Sequence, residues 1–364
     1  MQQRRLRIGV IYGGRSGEHE VSIESARSVL AAIDRERYEA VPIGITHEGA
    51  WHALEPSALL EGRAADHPRL LPSADPGGRG LVGTEPSASS QEPLDVVFPL
   101  VHGTFGEDGC IQGLLELASV PYVGAGVLGS AVGMDKILMK RVFAAAGFPI
   151  VPFVDVTRYD WERRPGEVAE RVSAIVGYPC FVKPANLGSS VGISKVADRA
   201  SLDVALDVAA QFSSRLVVER GLQVRDFECG VLGNDAPAAS LVGEVKVARD
   251  FYDYEAKYHD ERTHLTVPAE IPADVAERIR GMAVDAFRAI GAAGMARVDF
   301  FRTDPGGEIY LNEINTIPGF TPMSAYPRLW AATGVPYADL IDRLITLALE
   351  RHEDEARNRT RYGP

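Results

Sequence analysis

The sequence predicts an α/β protein whose first third forms a parallel sheet. Residues 7–12 (RIGVIY) and 40–45 are short apolar runs that bracket an amphipathic stretch, residues 21–33. That order reads as a βαβ unit. Strand-like and helix-like runs keep alternating after it. Near the C-terminus, two strand-like runs flank Thr303, Asp304, Pro305, Gly306 and Gly307, which is hairpin chemistry.

Taken in order, the first strand ends at Gly13-Gly14 and leads into the helix. Residues 61–93 are rich in Gly, Pro, Ser and Ala without periodicity, and are expected to be a surface excursion of low order. Residues 96–101 (VVFPLV) read as a buried strand, 111–118 as a helix and 121–123 as a short strand. The pattern changes from Met134, where residues 134–147 read as one helix ending at Gly147. Strands are expected at 179–184 and 191–196, on either side of a Gly-rich loop holding Ser189 and Ser190. A helix over 202–212 and a strand over 215–219 follow. The last third predicts strands at 228–232 and 241–247, then a polar, aromatic stretch over 249–265. A helix over 273–291, the hairpin 295–302 with 308–315, and a helix over 337–352 complete the chain. We divide it into segments 1–124, 125–219 and 220–364.

The 364 residues allow two or three domains. A net charge of -12 argues against sequence-independent nucleic-acid binding, which needs clustered cations. The three cysteines, Cys110, Cys180 and Cys229, have no zinc-site spacing and suit a reducing compartment. No apolar run approaches the roughly 20 residues of a membrane span, and no signal-peptide pattern follows residues 1–7. A cytoplasmic protein without membrane or nucleic-acid partners is expected.

The hairpin is the most informative segment. Strand side chains alternate faces, so Arg297 and Asp299 share one, as do Glu313 and Asn315. A turn centred near Pro305 sets Arg297 opposite Glu313 and Asp299 opposite Leu311. Two carboxylates and an amide oxygen make a hard ligand set suited to Mg²⁺ held partly by phosphates. An ordinary Arg–Glu cross-strand pair beside a solvated Asp is the competing reading. Residues 316–320 (TIPGF) form a turn whose backbone N–H groups can face an oxyanion.

Lys183 lies in an apolar run and needs an anionic partner, either a phosphate or a structural Glu. The loop after it, residues 185–192 (ANLGSSVG), can lay backbone N–H groups against phosphates. Residues 188–192 match the GxSxG pattern of hydrolases, but a strand rather than a helix is expected after the serines. Residues 124–129 match GxGxxG, but the strand before them is very short. Serine hydrolase and nicotinamide dehydrogenase are therefore minor readings, beside a non-catalytic nucleotide-binding module.

Several segments in fixed order resemble the D-alanine–D-alanine ligases of the ATP-grasp superfamily. They are residues 13–22 (GGRSGEHEVS), 102–109 (HGTFGEDG), 134–136 (MDK), 181–192 (FVKPANLGSSVG), 253–258 (DYEAKY), 295–299 (MARVD) and 312–321 (NEINTIPGFT). The resemblance runs from Arg7 to His352. It implies a three-domain ATP-grasp architecture that joins two D-alanine molecules through an acyl phosphate, for peptidoglycan precursors. By the same resemblance, Lys136, Lys183, Ser190 and Lys257 would contact ATP phosphates, Glu219 the adenine and Asp226 the ribose. Asp299, Glu313 and Asn315 would hold two Mg²⁺ ions, with Mn²⁺ as an alternative. Glu18 would bind the first D-alanine's ammonium, with His102 near its carboxylate. Arg297 and the Gly319 N–H would form the oxyanion hole, and Ser324 would bind the second carboxylate. Ser189 and Tyr258 would link to Glu18, closing a lid over 249–265. A homodimer through the N-terminal segment is implied. Arg220 stands where Lys is common among relatives. A D-lactate-using depsipeptide ligase is the nearest rival, and Tyr258 favours D-alanine, because that branch replaces it, often with His.

Overall fold

A computed structural model describes residues 4–76, 80–83, 93–188, 191–246 and 264–359, with 80–83 as backbone. In chain order the N-terminal elements are β1 (Leu6–Gly13), α1 (His19–Ala32), β2 (Tyr38–Ile45), β3 (Trp51–Ala53), α2 (Pro56–Leu60), β4 (Arg69–Ser73), β5 (Gly80–Gly83), β6 (Val96–Pro99) and α3 (Cys110–Leu117). Strands β2, β1 and β6 are parallel, as the βαβ pattern requires. The full order is β5-β4-β3-β2-β1-β6, and β3 to β5 attach antiparallel. The low-order reading of 61–93 is thereby corrected: β4 and β5 form a meander that extends the sheet, while 84–92 lie outside the described residues. Periodicity missed them because the edge strand β5 begins and ends in Gly, and Pro72 of β4 lies past the residues that pair with β3.

Both faces of this sheet are covered, which is why residues 7–12 read as continuous apolar sequence rather than alternating. Ile8, Val10 and Tyr12 pack with Ile23, Ala26 and Val29 of α1. Ile11 faces the other way, with Val97, Ile111 and Leu115.

The middle of the chain holds α4 (Val127–Met134), α5 (Lys136–Ala145), β7 (Phe153–Thr157), α6 (Arg158–Arg163), α7 (Pro165–Ile175), β8 (Cys180–Pro184), β9 (Ser194–Val196), α8 (Arg199–Phe212) and β10 (Arg215–Arg220). The helix expected over 134–147 instead begins at Lys136. Asp135 adopts extended backbone, accepts hydrogen bonds from the N–H groups of Ile137 and Leu138, and so caps a new helix. A second, four-stranded sheet runs β7-β10-β8-β9. Helices α7 and α8 supply Val168, Val172, Leu202 and Leu206 to its core.

A third, five-stranded antiparallel sheet is built from β11 (Val224–Gly233), β12 (Ala238–Lys246), β13 (His264–Thr266), β14 (Gly294–Thr303) and β15 (Ile309–Asn315), in the order β13-β12-β11-β14-β15. Helix α9 (Ala273–Ala289) covers one face, with Ile279, Ala283 and Phe287 against Phe227, Val298 and Leu311. Met139 and Phe143 of α5 join that core. The opposite face is left for the site. The chain ends with α10 (Ala325–Ala332) and α11 (Tyr337–Glu355). Leu340, Ile341, Leu344 and Ile345 return to the core of the first sheet. Asp342 pins that helix by accepting from Arg37 and the Tyr38 hydroxyl.

The hairpin pairs differently from the expected register. Arg297 faces Asn315 and Asp299 faces Glu313, while Phe300 faces Leu311. Next to the turn the pairing is already one residue further along, and Asn312, the extra residue of a bulge, adds a second shift of one. All four polar groups nevertheless stay on one face.

Candidate active site

One cleft is lined by residues from all three sheets. It holds Glu18 and His102 from the first region and Lys136, Lys183 and Glu219 from the second. Asp226, Arg297, Asp299, Glu313, Asn315, Gly319 and Ser324 come from the third. Every sequence-predicted site residue that the structure describes is therefore in the same cleft. Ser189, Ser190, Lys257 and Tyr258, with the expected lid over 249–265 apart from its last strand, β13, lie outside the described residues.

The wall made by the third sheet is an acidic face with Arg297 at its centre. Arg297, only 6% exposed, donates from Nε and Nη2 to the two Asp299 oxygens at 2.7 and 2.6 Å. Its Nε is also 3.4 Å from Glu228 Oε1, because Glu228 faces Asp299 across β11 and β14. Asn315 Nδ2 donates to Asp299 Oδ2 at 3.0 Å. Burial opposes the Arg297 charge, but Asp299 and Glu228 outweigh it and keep the guanidinium protonated. Burial raises the Asp299 carboxyl above its ordinary range even against Arg297. Asp226 is pushed up to about 7, by burial first and then by Glu228 and Asp299.

This wall fits a divalent cation. Its donors are carboxylate and amide oxygens, the hard set that Mg²⁺ prefers. It carries an excess of carboxylates, and Glu228 Oε2 is a buried acceptor without a hydrogen-bond partner among the described residues. No cluster of three His, Cys, Asp or Glu side chains forms a metal site on its own among the described residues. An ion here would need further oxygens, such as a polyphosphate supplies.

The facing wall, from the second sheet, reverses the balance. Lys183 Nζ donates to Glu219 Oε2 at 2.8 Å, and Lys140 Nζ lies 3.2 Å from Glu219 Oε1. Strand pairing explains the first contact: Glu219 on β10 sits beside β8, which carries Lys183. Burial alone would raise the Glu219 carboxyl, but Lys140 and Lys183 outweigh it and hold it down at about 2. Lys183 has thus found the structural Glu that its apolar run required. Lys136, at the start of α5, donates to the Leu187 carbonyl at 2.7 Å and lies 3.9 Å from Glu313 Oε2, spanning the two walls.

The third side comes from the first sheet's loops. Ser16 Oγ donates to the His102 carbonyl at 2.7 Å and accepts from the Glu18 N–H at 3.0 Å. Gly103 and Gly188 flank the Glu18 carboxylate so closely that a Cβ on either would stand 2.9 or 3.0 Å from Oε2. His102 uses both ring nitrogens, Nδ1 at 2.9 Å from the Ile317 carbonyl and Nε2 at 3.0 Å from Ser25 Oγ. Ser25 also accepts from the Phe320 N–H at 3.3 Å. Phe320 packs on Phe98, with ring centres 5.5 Å apart, so the turn carrying Gly319 is anchored to the first sheet. A Cβ on Gly319 would lie 3.2 Å from Ser324 Oγ, and Ser324 shares a 2.8 Å hydrogen bond with Thr321 Oγ1.

Sequence reasoning missed Lys140, Glu228 and Ser25. Lys140 is four residues after Lys136 and so on the same helical face, which was the available signal. Glu228 alternates with Asp226 on its strand, which predicts a shared face. Ser25 carried no signal of its own.

A cationic wall facing an oxygen-rich acidic wall, between antiparallel sheets, defines a nucleotide-dependent ligase of the ATP-grasp class. Residues 7–125 match the family model described as D-ala D-ala ligase N-terminus, and residues 142–346 that described as D-ala D-ala ligase C-terminus. The chain belongs to the D-alanine–D-alanine ligase family, whose members are ATP-dependent and use divalent metal ions. It is 49% identical to a D-alanine--D-alanine ligase of Heliobacterium modesticaldum, over 98% of both chains. It is 46% identical to one of Geobacillus kaustophilus, over 96% of both. The structure of the Coxiella burnetii D-alanine-D-alanine ligase superposes with a TM-score of 0.85 at 36% identity, covering 97% of each chain. That of the VanG D-Ala:D-Ser ligase of Enterococcus faecalis gives 0.85 at 35%, covering 95% of this chain and 100% of that one. No helix among the described residues is long and apolar enough to cross a membrane.

Proposed function

We propose that this chain joins two D-alanine molecules into D-alanyl-D-alanine, with cleavage of ATP to ADP and phosphate, as a homodimer in the cytoplasm. The observation that carries the reading is the pair of opposed charged walls, Lys136 and Lys183 facing Asp299, Glu313 and Asn315 across one cleft.

A carboxylate is a poor electrophile, so the first D-alanine must be activated. Its carboxylate oxygen attacks the γ-phosphorus, the bond to ADP breaks, and an acyl phosphate forms. Lys136, Lys183 and Lys257 would hold the phosphates in line for this transfer, with Ser190 beside them. Asp299, Glu313 and Asn315 would hold Mg²⁺, or Mn²⁺ with the same donor preference. When bound, the ion neutralises charge on the phosphates. Glu219 would contact the adenine and Asp226 the ribose.

Glu18 would take the first substrate's ammonium, and His102, fixed at both nitrogens, would shape the pocket around its carboxylate. The neutral amine of the second D-alanine then attacks the carbonyl carbon. Arg297 and the Gly319 N–H would stabilise the tetrahedral oxyanion, an effect typically worth about 3–4 kcal/mol per donor. Collapse breaks the bond to phosphate, and the amine gives up its proton. Ser324 would orient the second carboxylate. Ser189 and Tyr258 would join Glu18 in excluding water, the competing nucleophile.

The test is phosphate release by the purified chain with ATP, Mg²⁺ and D-alanine. Release that needs all three supports the reading. Folded protein showing no D-alanine-dependent release removes it. Mass spectrometry of products from mixed D-alanine, D-serine and D-lactate distinguishes the acceptors, which matters because a D-Ala:D-Ser ligase superposes equally well.

A further inference from the structure

Lys140 lies inside the molecule. Its side chain is 1% exposed, on the face of α5 turned towards β10. Its ammonium is 3.2 Å from Glu219 Oε1 but has no well-aligned hydrogen-bond partner among the described residues, and neither has that oxygen. Lys140 does not line the cleft, whereas Lys183 and Glu219 do. A buried lysine is costly unless something requires its charge.

We infer that Lys140 is the resident counter-ion of Glu219, and that it frees Lys183 to serve the nucleotide. The inference rests on the proposed nucleotide site. Glu219 is shared by two cations, so the group carries one net positive charge. Were Lys183 the sole partner, a phosphate would have to compete with a buried carboxylate for it. It would leave Glu219 buried and uncompensated each time it won. With Lys140 behind Glu219, Lys183 can turn to a phosphate while the carboxylate keeps a partner. Lys140 is thus a positioning residue, acting through Glu219. Burial, with Lys183 nearby, lowers its pKa on balance, and Glu219 is the main group that pulls against this, so its charge depends on that neighbour.

The experiment is a double-mutant cycle on Mg-ATP binding by the full chain, measured by calorimetry without D-alanine. Lys140→Met is expected to weaken ATP binding about 10-fold, because Lys183 is then the sole partner of the buried Glu219 and is withheld from the phosphate. Glu219→Gln removes the carboxylate, and a buried Lys140 without it gives up its proton. In that background Lys140→Met is expected to change the dissociation constant by less than about threefold. Equal losses in both backgrounds would make Lys140 merely structural and overturn the inference, as would no loss in either. If Lys140→Met does not fold, Lys140→Gln, which can donate to Glu219 but carries no charge, gives the same comparison. Failure of the unmodified chain to bind ATP would instead remove the nucleotide site itself, a distinguishable result.

Discussion

Two buried charge clusters face each other across the cleft, and they are built to opposite balances. At the second sheet, Lys140 of α5 and Lys183 of β8 share Glu219; in the third, Arg297 is shared by Asp299 and Glu228. Both are shielded from solvent, yet their carboxylates shift in opposite directions. Glu219 is held at about 2, while Asp226, beside the other cluster, is pushed up to about 7. Burial raises both; the count of neighbouring cations decides the outcome. One wall is left short of an anion and the other short of a cation, which is the complementarity a metal–polyphosphate ligand offers.

The contrast can be broken most severely at Arg297, which Asp299 and Glu228 share. Arg297→Ala is expected to lower kcat for ligation about 10³-fold while changing ATP affinity less than about threefold. Steady-state phosphate release and calorimetry measure the two. Equal losses in both would make Arg297 only the structural partner of Asp299.

Asp299→Asn removes one carboxylate from the acidic wall. The Mg²⁺ concentration for half-maximal turnover is expected to rise about 100-fold, read from a metal titration of ATPase rate with D-alanine. An unchanged titration would take Asp299 out of the metal set.

On the cationic wall, Lys183→Met is expected to raise the KM for ATP about 10- to 30-fold, since a charge-assisted contact to phosphate is lost. The KM for D-alanine should move little. A fall in kcat alone would place Lys183 away from the ground-state nucleotide.

The smallest effects sharpen the electrostatics in protein free of nucleotide and metal. Glu219 has a depressed folded pKa, so its stabilisation is present above about 4.5 and is lost as pH falls towards 2. Asp226 has a raised folded pKa, so its contribution is greatest below about 3.8 and is lost as pH rises through 7. Glu219→Gln should therefore lower Tm most at neutral pH, with the deficit shrinking in acid. Asp226→Asn should gain on the unsubstituted protein as pH climbs from 4 to 7. Melts at intervals from about pH 2 to 7, with expected differences of a few degrees, test both signs. Parallel slopes for the two variants would refute the opposed balances.

The βαβ opening, the three strand-rich regions and the shared polar face of the hairpin were legible because each is a local property. Period-two alternation puts Arg297 with Asp299, and Glu313 with Asn315, whatever the register. The register itself was not legible. Pairing beside the turn runs one residue further than a centre at Pro305 gives, the bulge at Asn312 adds one more, and together they set Asn315 opposite Arg297; no residue type in the turn announces either. The strands β4 and β5 were hidden by Gly and Pro. The break at Asp135 was concealed by helix-forming neighbours, until its side chain was seen to cap the Ile137 and Leu138 N–H groups.

The sequence by itself determined which residues carry charge, which faces they occupy and the order of segments that identifies the family. Only the tertiary structure decided which charges meet. Glu219 follows Lys183 by 36 positions, and Arg297 is 69 beyond Glu228. Pairing over such separations depends on sheet order and burial, which no window of sequence contains. The sign of each carboxylate's shift depends on those partners too.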